Sequence, residues 1–193
     1  DRSRSGSWSR RLTEGAGYSS PQIATLGGRR QIVQFAAESC FGLSPDGRLL
    51  WQYDGASNRT ANIATPVIWD NDKVFVSSAY GTGGGLVQIR KRGRGLQANE
   101  VYFQDKMANH HGGVVRVDDH LYGFGSGGRL YCIEASSGEI AWVDQSVGKG
   151  SLIYADGQLY CLSESHRIAL VEATPDGYRE NGRFKIEYFG KPS

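Results

Sequence analysis

The sequence has little of what disulfide-rich, membrane-spanning or strongly charged proteins need. Its three cysteines, Cys40, Cys132 and Cys161, show no C-x-x-C spacing, so we expect neither a disulfide framework nor a zinc-finger site. A single bridge, such as one between Cys132 and Cys161, stays open. No apolar run approaches the roughly 20 residues of a transmembrane helix. The net charge of +2 gives no strong electrostatic reason to bind nucleic acid or an anionic membrane.

The usual signatures of catalysis are also missing from the sequence. It contains no G-x-S-x-G elbow, no Walker A loop and no C-x-x-C-H haem motif. The stretch Gly123–Gly128 does match G-x-G-x-x-G, but the strand-like stretch 130–133 follows it where a dinucleotide loop needs a helix. This stretch therefore favours a hairpin turn. We predict no catalytic residues, although an enzyme is not excluded.

What the sequence does have is glycine and a repeat. It holds 27 glycines in 193 residues, which favours tight turns over long helices. In four segments an apolar run, a polar turn and a second apolar run follow one another, as expected for a β-hairpin. The first apolar residues after the turns are Ile32, Val74, Leu121 and Leu159, which are 42, 47 and 38 residues apart. The four segments are Ile23–Phe35, Val67–Val76, Val114–Phe124 and Leu152–Leu162.

A second pair of strand-like runs follows each predicted hairpin. Four short strands in about 40 residues, without helical periodicity, are typical of a β-propeller blade, whereas a β-sandwich has no reason to repeat at that period. We therefore predict an all-β propeller of four-stranded antiparallel blades forming one domain. The predicted blades are 17–55, 62–105, 110–146 and 149–188, and 1–16 would be the tail of a preceding blade.

Three tryptophans end repeats in a similar way. The stretch from Cys132 to Trp142 resembles the tryptophan-docking repeat A-x-D-x-x-T-G-K-x-x-W of pyrroloquinoline-quinone (PQQ) type propellers, with Glu134 in place of the aspartate. Trp51 stands in the same place after a glycine, and Trp8 precedes it by 43 residues. The resemblance covers nearly the whole chain and implies that these three indoles dock between blades.

The resemblance also implies a partial ring and two alternative functions. Rings of this family have seven or eight blades, so two copies of the chain or a further segment would complete the ring. One implied function is a non-catalytic scaffold that binds a protein, a peptide or another ligand in the periplasm or cell envelope of a bacterium. The alternative is a dehydrogenase that oxidises an alcohol or aldose with PQQ and calcium. No position here matches that enzyme's base or calcium ligands, so we expect no cofactor.

The loops that connect blades are the expected place for a binding site, because in propellers they line one mouth of the central channel. The candidates in those loops are Tyr18, Asn62, Asn109, His110, His111 and Lys149. We expect no metal at the histidine pair, since adjacent residues of a strand point to opposite faces and neither a carboxylate nor a cysteine is near in sequence. The basic run 90–94 is expected to be a solvated turn.

Overall fold

The computed structural model describes residues 14–187, in which sixteen strands form four antiparallel sheets. Trp8 and most of the predicted tail 1–16 lie outside the described residues. Each sheet is built from four strands that follow one another along the chain. This is the arrangement that the repeat predicts.

The strands of the first sheet are β1 (Gln22–Leu26), β2 (Arg29–Phe35), β3 (Cys40–Leu43) and β4 (Leu49–Tyr53). Those of the second are β5 (Val67–Trp69), β6 (Lys73–Ser78), β7 (Gly83–Arg92) and β8 (Gly95–Gln104). Those of the third are β9 (Val114–Val117), β10 (His120–Phe124), β11 (Leu130–Glu134) and β12 (Ile140–Asp144). Those of the fourth are β13 (Gly150–Ala155), β14 (Gln158–Ser163), β15 (Arg167–Glu172) and β16 (Glu180–Lys185). One short 3-10 helix, Ser126–Gly128, joins β10 to β11.

The turn that joins the first two strands of each sheet depends on residues that tolerate positive φ. Gly27, Asn71, Asp118 and Asp156 occupy these turns at φ values of 56°, 57°, 49° and 50°. Glycine, asparagine and aspartate adopt this left-handed conformation most readily, and it matches the twist of a tight hairpin. Turn chemistry therefore fixes the register of all four hairpins.

The hydrophobic core lies between consecutive sheets. Along the second strand of each sheet, one residue faces the preceding sheet and the next residue faces the following one. Val33 of the first sheet packs in one cluster with Val74 of the second, and Phe75 packs with Leu121 of the third. Tyr122 of the third sheet continues the pattern by packing in one cluster with residues of the fourth. The sheets therefore stack face to face as blades.

Trp51 fills the space between the first two sheets. Its indole is buried, and Nε1 donates a 2.5 Å hydrogen bond to Oε1 of Gln31. Gly42 lies so close to this pair that a Cβ there would overlap both Gln31 Oε1 and the indole nitrogen. Trp142 packs similarly between the third and fourth sheets and donates from Nε1 to the Thr174 carbonyl at 2.7 Å. The docking role of these indoles between blades stays a prediction.

All three cysteines are free and buried. Burial raises the pKa of Cys132 to about 11 and that of Cys161 to about 12, and it raises that of Cys40 as well. Because only the thiolate is nucleophilic, we expect the folded protein at pH 8 to be inert to iodoacetamide. Mass spectrometry should find three alkylated thiols per chain after unfolding and none before it. Rapid alkylation of the folded protein would contradict this burial.

Candidate functional site

Sheet topology brings two kinds of loop to the same edge. In an antiparallel four-stranded sheet the first and third strands run in the same direction, so the loops that enter them lie at one edge. We call this edge the rim. It is formed by residues 14–21, 36–39, 54–66, 79–82, 105–113, 125–129, 145–149 and 164–166.

Five side chains from four rim loops meet in one place, which we call the histidine cluster: Tyr80, His110, His111, Lys149 and Glu164. His111 Nε2 and Lys149 Nζ each lie 2.8 Å from Oε1 of Glu164. The two histidine rings are 4.7 Å apart between centroids, and the Tyr80 hydroxyl forms a 2.8 Å hydrogen bond with His110 Nε2. The pair lies in a loop and not in a strand, so the expectation that the two rings point to opposite faces does not apply.

The cluster holds one carboxylate among basic groups. Hydrogen bonds from Lys149 and from His111 lower the pKa of Glu164 to about 2. Desolvation, followed by the charges of Lys149 and His111, lowers the pKa of His110. At neutral pH the cluster therefore presents an ionised carboxylate and, at His110, an uncharged imidazole.

The other predicted site residues have different surroundings. Tyr18 is exposed, and its backbone N–H donates to the Asn62 carbonyl at 2.9 Å. The amides of Asn62 and Asn109 are buried, and Nδ2 of each donates to backbone carbonyls, among them those of Ala36 and Phe124. The structure brings together His110, His111 and Lys149, whereas both asparagines hold the rim loops in position.

Sequence reasoning missed Tyr80 and Glu164. Both stand in loops between a second and a third strand, whereas the candidates expected from the sequence lie in the connections between blades. The signal that identifies them is topological, because antiparallel pairing puts both kinds of loop at the rim. Tyr80 also adopts a positive φ of 59°, which is uncommon for a bulky residue.

Two cavities flank the histidine cluster. One of about 370 Å³ is lined by Tyr80, His110, Gly127 and Lys149, among others. Another of about 490 Å³ is lined by His111 together with residues that lead into or belong to β1, β5 and β9. The cluster thus lies between two recesses.

Two further observations bear on the class of the protein. Among residues 14–187 no helix has the length and apolar character needed to cross a membrane. A family model described as outer membrane protein assembly factor BamB, of the PQQ-repeat type, matches residues 2–144. No curated protein sequence matches the chain.

Solved structures share the fold. BamB from Moraxella catarrhalis superposes with a TM-score of 0.67 at 11% identity, covering 93% of this chain and 54% of that one. The β-propeller domain of Cps50 (Swd1) from Myceliophthora thermophila gives 0.61 at 14% identity, covering 86% and 59%. The N-terminal domain of Nup159 gives 0.55 at 11% identity, covering 90% and 46%. The predicted β-propeller fold is confirmed, and the chain spans about half the length of these structures.

Proposed function

Since the chain belongs to the family of the outer membrane protein assembly factor BamB, we propose that it is part of a non-catalytic propeller that binds a protein or peptide partner at its rim. The family description places such a protein in the bacterial cell envelope, and we propose that compartment for this chain. Fold alone does not decide function, so the proposal depends on the rim itself.

The observation that carries the proposal is the exposed, fixed ring of Tyr80. Tyr80 is 54% exposed, yet its ring contacts the His110 ring edge to face at 5.1 Å between centroids, and its hydroxyl forms a hydrogen bond with His110. Tyrosine is enriched among the residues that dominate binding energy at protein interfaces. A side chain held in place before binding loses little conformational entropy when a partner covers it. Polar loops on a rigid sheet scaffold are also where binding residues concentrate.

We expect Tyr80→Ala to weaken peptide binding about 10-fold or more, because truncation of an interface hot spot removes contact area at the centre of the site. The probe is a set of peptides selected on the wild-type protein from a random display library. Their dissociation constants for the wild type and the variant are then measured by fluorescence anisotropy.

Tyr154→Ala is the matched control. Tyr154 is also an exposed tyrosine, but it is the penultimate residue of β13, near the hairpin turn at the opposite edge of its sheet. Its truncation should leave the dissociation constants unchanged. Failure to select any peptide, or equal weakening by the two variants, would contradict binding at the rim.

A second part of the proposal concerns the outer face of the fourth sheet. Val33, Phe75, Tyr122 and Tyr160 hold equivalent positions, one residue after the repeating apolar residue of the second strand. The first three are buried against the next sheet, whereas Tyr160 is 40% exposed. We propose that another blade covers this face and that, for the 193-residue chain alone, a second copy supplies it.

A further inference from the structure

We infer that the histidine cluster binds a divalent transition-metal ion of the zinc class, with His110, His111 and Glu164 as its protein ligands. One ring nitrogen of each histidine and one carboxylate oxygen all lie within 4.8 Å of one another. Small side-chain rotations bring such a set to the ligand separations of a metal bound at about 2.0–2.2 Å. The site does not depend on the rim binding a peptide.

The donor set selects the class of metal. Two imidazoles with one carboxylate suit zinc and neighbouring transition metals, whereas calcium and magnesium prefer oxygen donors throughout.

His110 supplies a second, independent observation. Its Nδ1 is a buried atom without a hydrogen-bond partner in the described part of the chain. Its other nitrogen, Nε2, forms a hydrogen bond with the Tyr80 hydroxyl. Histidine ligands commonly have one nitrogen on the metal and the other in such an outer hydrogen bond, which fixes the tautomer. A buried polar atom that lacks a partner calls for an explanation, and coordination provides one.

Lys149 competes with a metal ion for the carboxylate of Glu164. Its ammonium group lies 2.8 Å from the Glu164 oxygen that His111 also contacts, so one cation already balances this carboxylate. The lysine side chain is partly exposed, so a metal ion would displace it toward solvent. Removing the ammonium should therefore strengthen metal binding. Three protein ligands also leave a fourth position for water or for a donor from a bound molecule.

The test uses the whole chain, treated with a chelator and then titrated with Zn²⁺ by isothermal calorimetry. We expect one ion per chain, and we expect Co²⁺ to give the intense visible absorption of a four-coordinate site. His111→Ala and Glu164→Gln should each weaken binding about 100-fold, at least as much as the loss of an outer-sphere partner costs. Lys149→Met should tighten it, whereas His120→Gln, a histidine of β10 outside the cluster, should leave it unchanged.

Unfolding does not confound this test, because His111 and Glu164 are exposed and their variants should keep the thermal unfolding midpoint of the wild type. Tyr80→Phe provides a milder variant, and we expect it to weaken binding about 10-fold through loss of the outer hydrogen bond. Absence of stoichiometric Zn²⁺ binding to the wild type would overturn the inference. So would binding that survives both ligand variants or that falls in His120→Gln.

Discussion

Trp51→Ala is expected to lower the free energy of unfolding by about 3–5 kcal/mol, the range found when a buried aromatic side chain is truncated. The indole lies in the core between the first two sheets, so its loss leaves a cavity there. It also leaves Oε1 of the buried Gln31 side chain without its indole donor, which adds a cost of about 1–3 kcal/mol where this oxygen finds no other donor. Urea titration followed by circular dichroism measures the change.

Trp69→Ala is the control for this prediction. Trp69 is only partly buried, and its ring contacts the Arg116 guanidinium at 5.4 Å. Since a cation–π contact near the surface contributes about 0.5–1 kcal/mol and less apolar area is lost, we expect less than half the effect of Trp51→Ala. Equal losses of unfolding free energy in the two variants would contradict a larger stabilising contribution from Trp51 than from Trp69.

The 193-residue chain is expected to self-associate, and a charged substitution on the outer face of the fourth sheet is expected to abolish this. Cross-strand pairing puts Leu162, Ile168 and Phe184 in one row on that face, with Ile153, Tyr160 and Leu170 in the next. A patch of this kind is unfavourable in water and favours association with a similar sheet. Analytical ultracentrifugation of Leu162→Glu with Phe184→Glu should then show a monomer.

The matched control replaces two exposed apolar residues of another strand by glutamate. Val101 and Phe103 of β8 are also exposed, at 50% and 40%, against 42% and 60% for Leu162 and Phe184. Val101→Glu with Phe103→Glu should leave the association intact. A wild-type chain that sediments as a monomer would contradict closure by a second copy, whatever the variants do.

The blades were predictable because local chemistry determines them. Asp156 and Gly157 form a turn by their own conformational preferences, and the two-residue period of a strand then puts Leu159 and Cys161 on one face, where both are buried. The order of strands then follows from short connections between antiparallel neighbours. The predicted hairpins therefore coincide with β1–β2, β5–β6, β9–β10 and β13–β14.

The histidine cluster could be predicted only in part. His110, His111 and Lys149 stand in the expected loops, but their partner Glu164 lies 53 residues from His111, in another blade. That contact depends on how two sheets stack, which no local pattern records. The loop conformation at 110–111 is likewise set by its surroundings, including the Asn109 amide, which bonds the backbone at Gly113 and Phe124. Asn109 is buried, so its amide bonds the backbone and does not face solvent, which the sequence alone does not reveal.

An NMR titration of the labelled chain with a selected peptide tests whether the rim is the binding surface. The largest backbone amide shifts are expected at Tyr80, His110, His111 and Lys149. The hairpin turns at Gly27, Asp118 and Asp156, at the opposite edge of the sheets, should not shift. Shifts centred on those turns, or on the outer face of the fourth sheet, would contradict peptide binding at the rim.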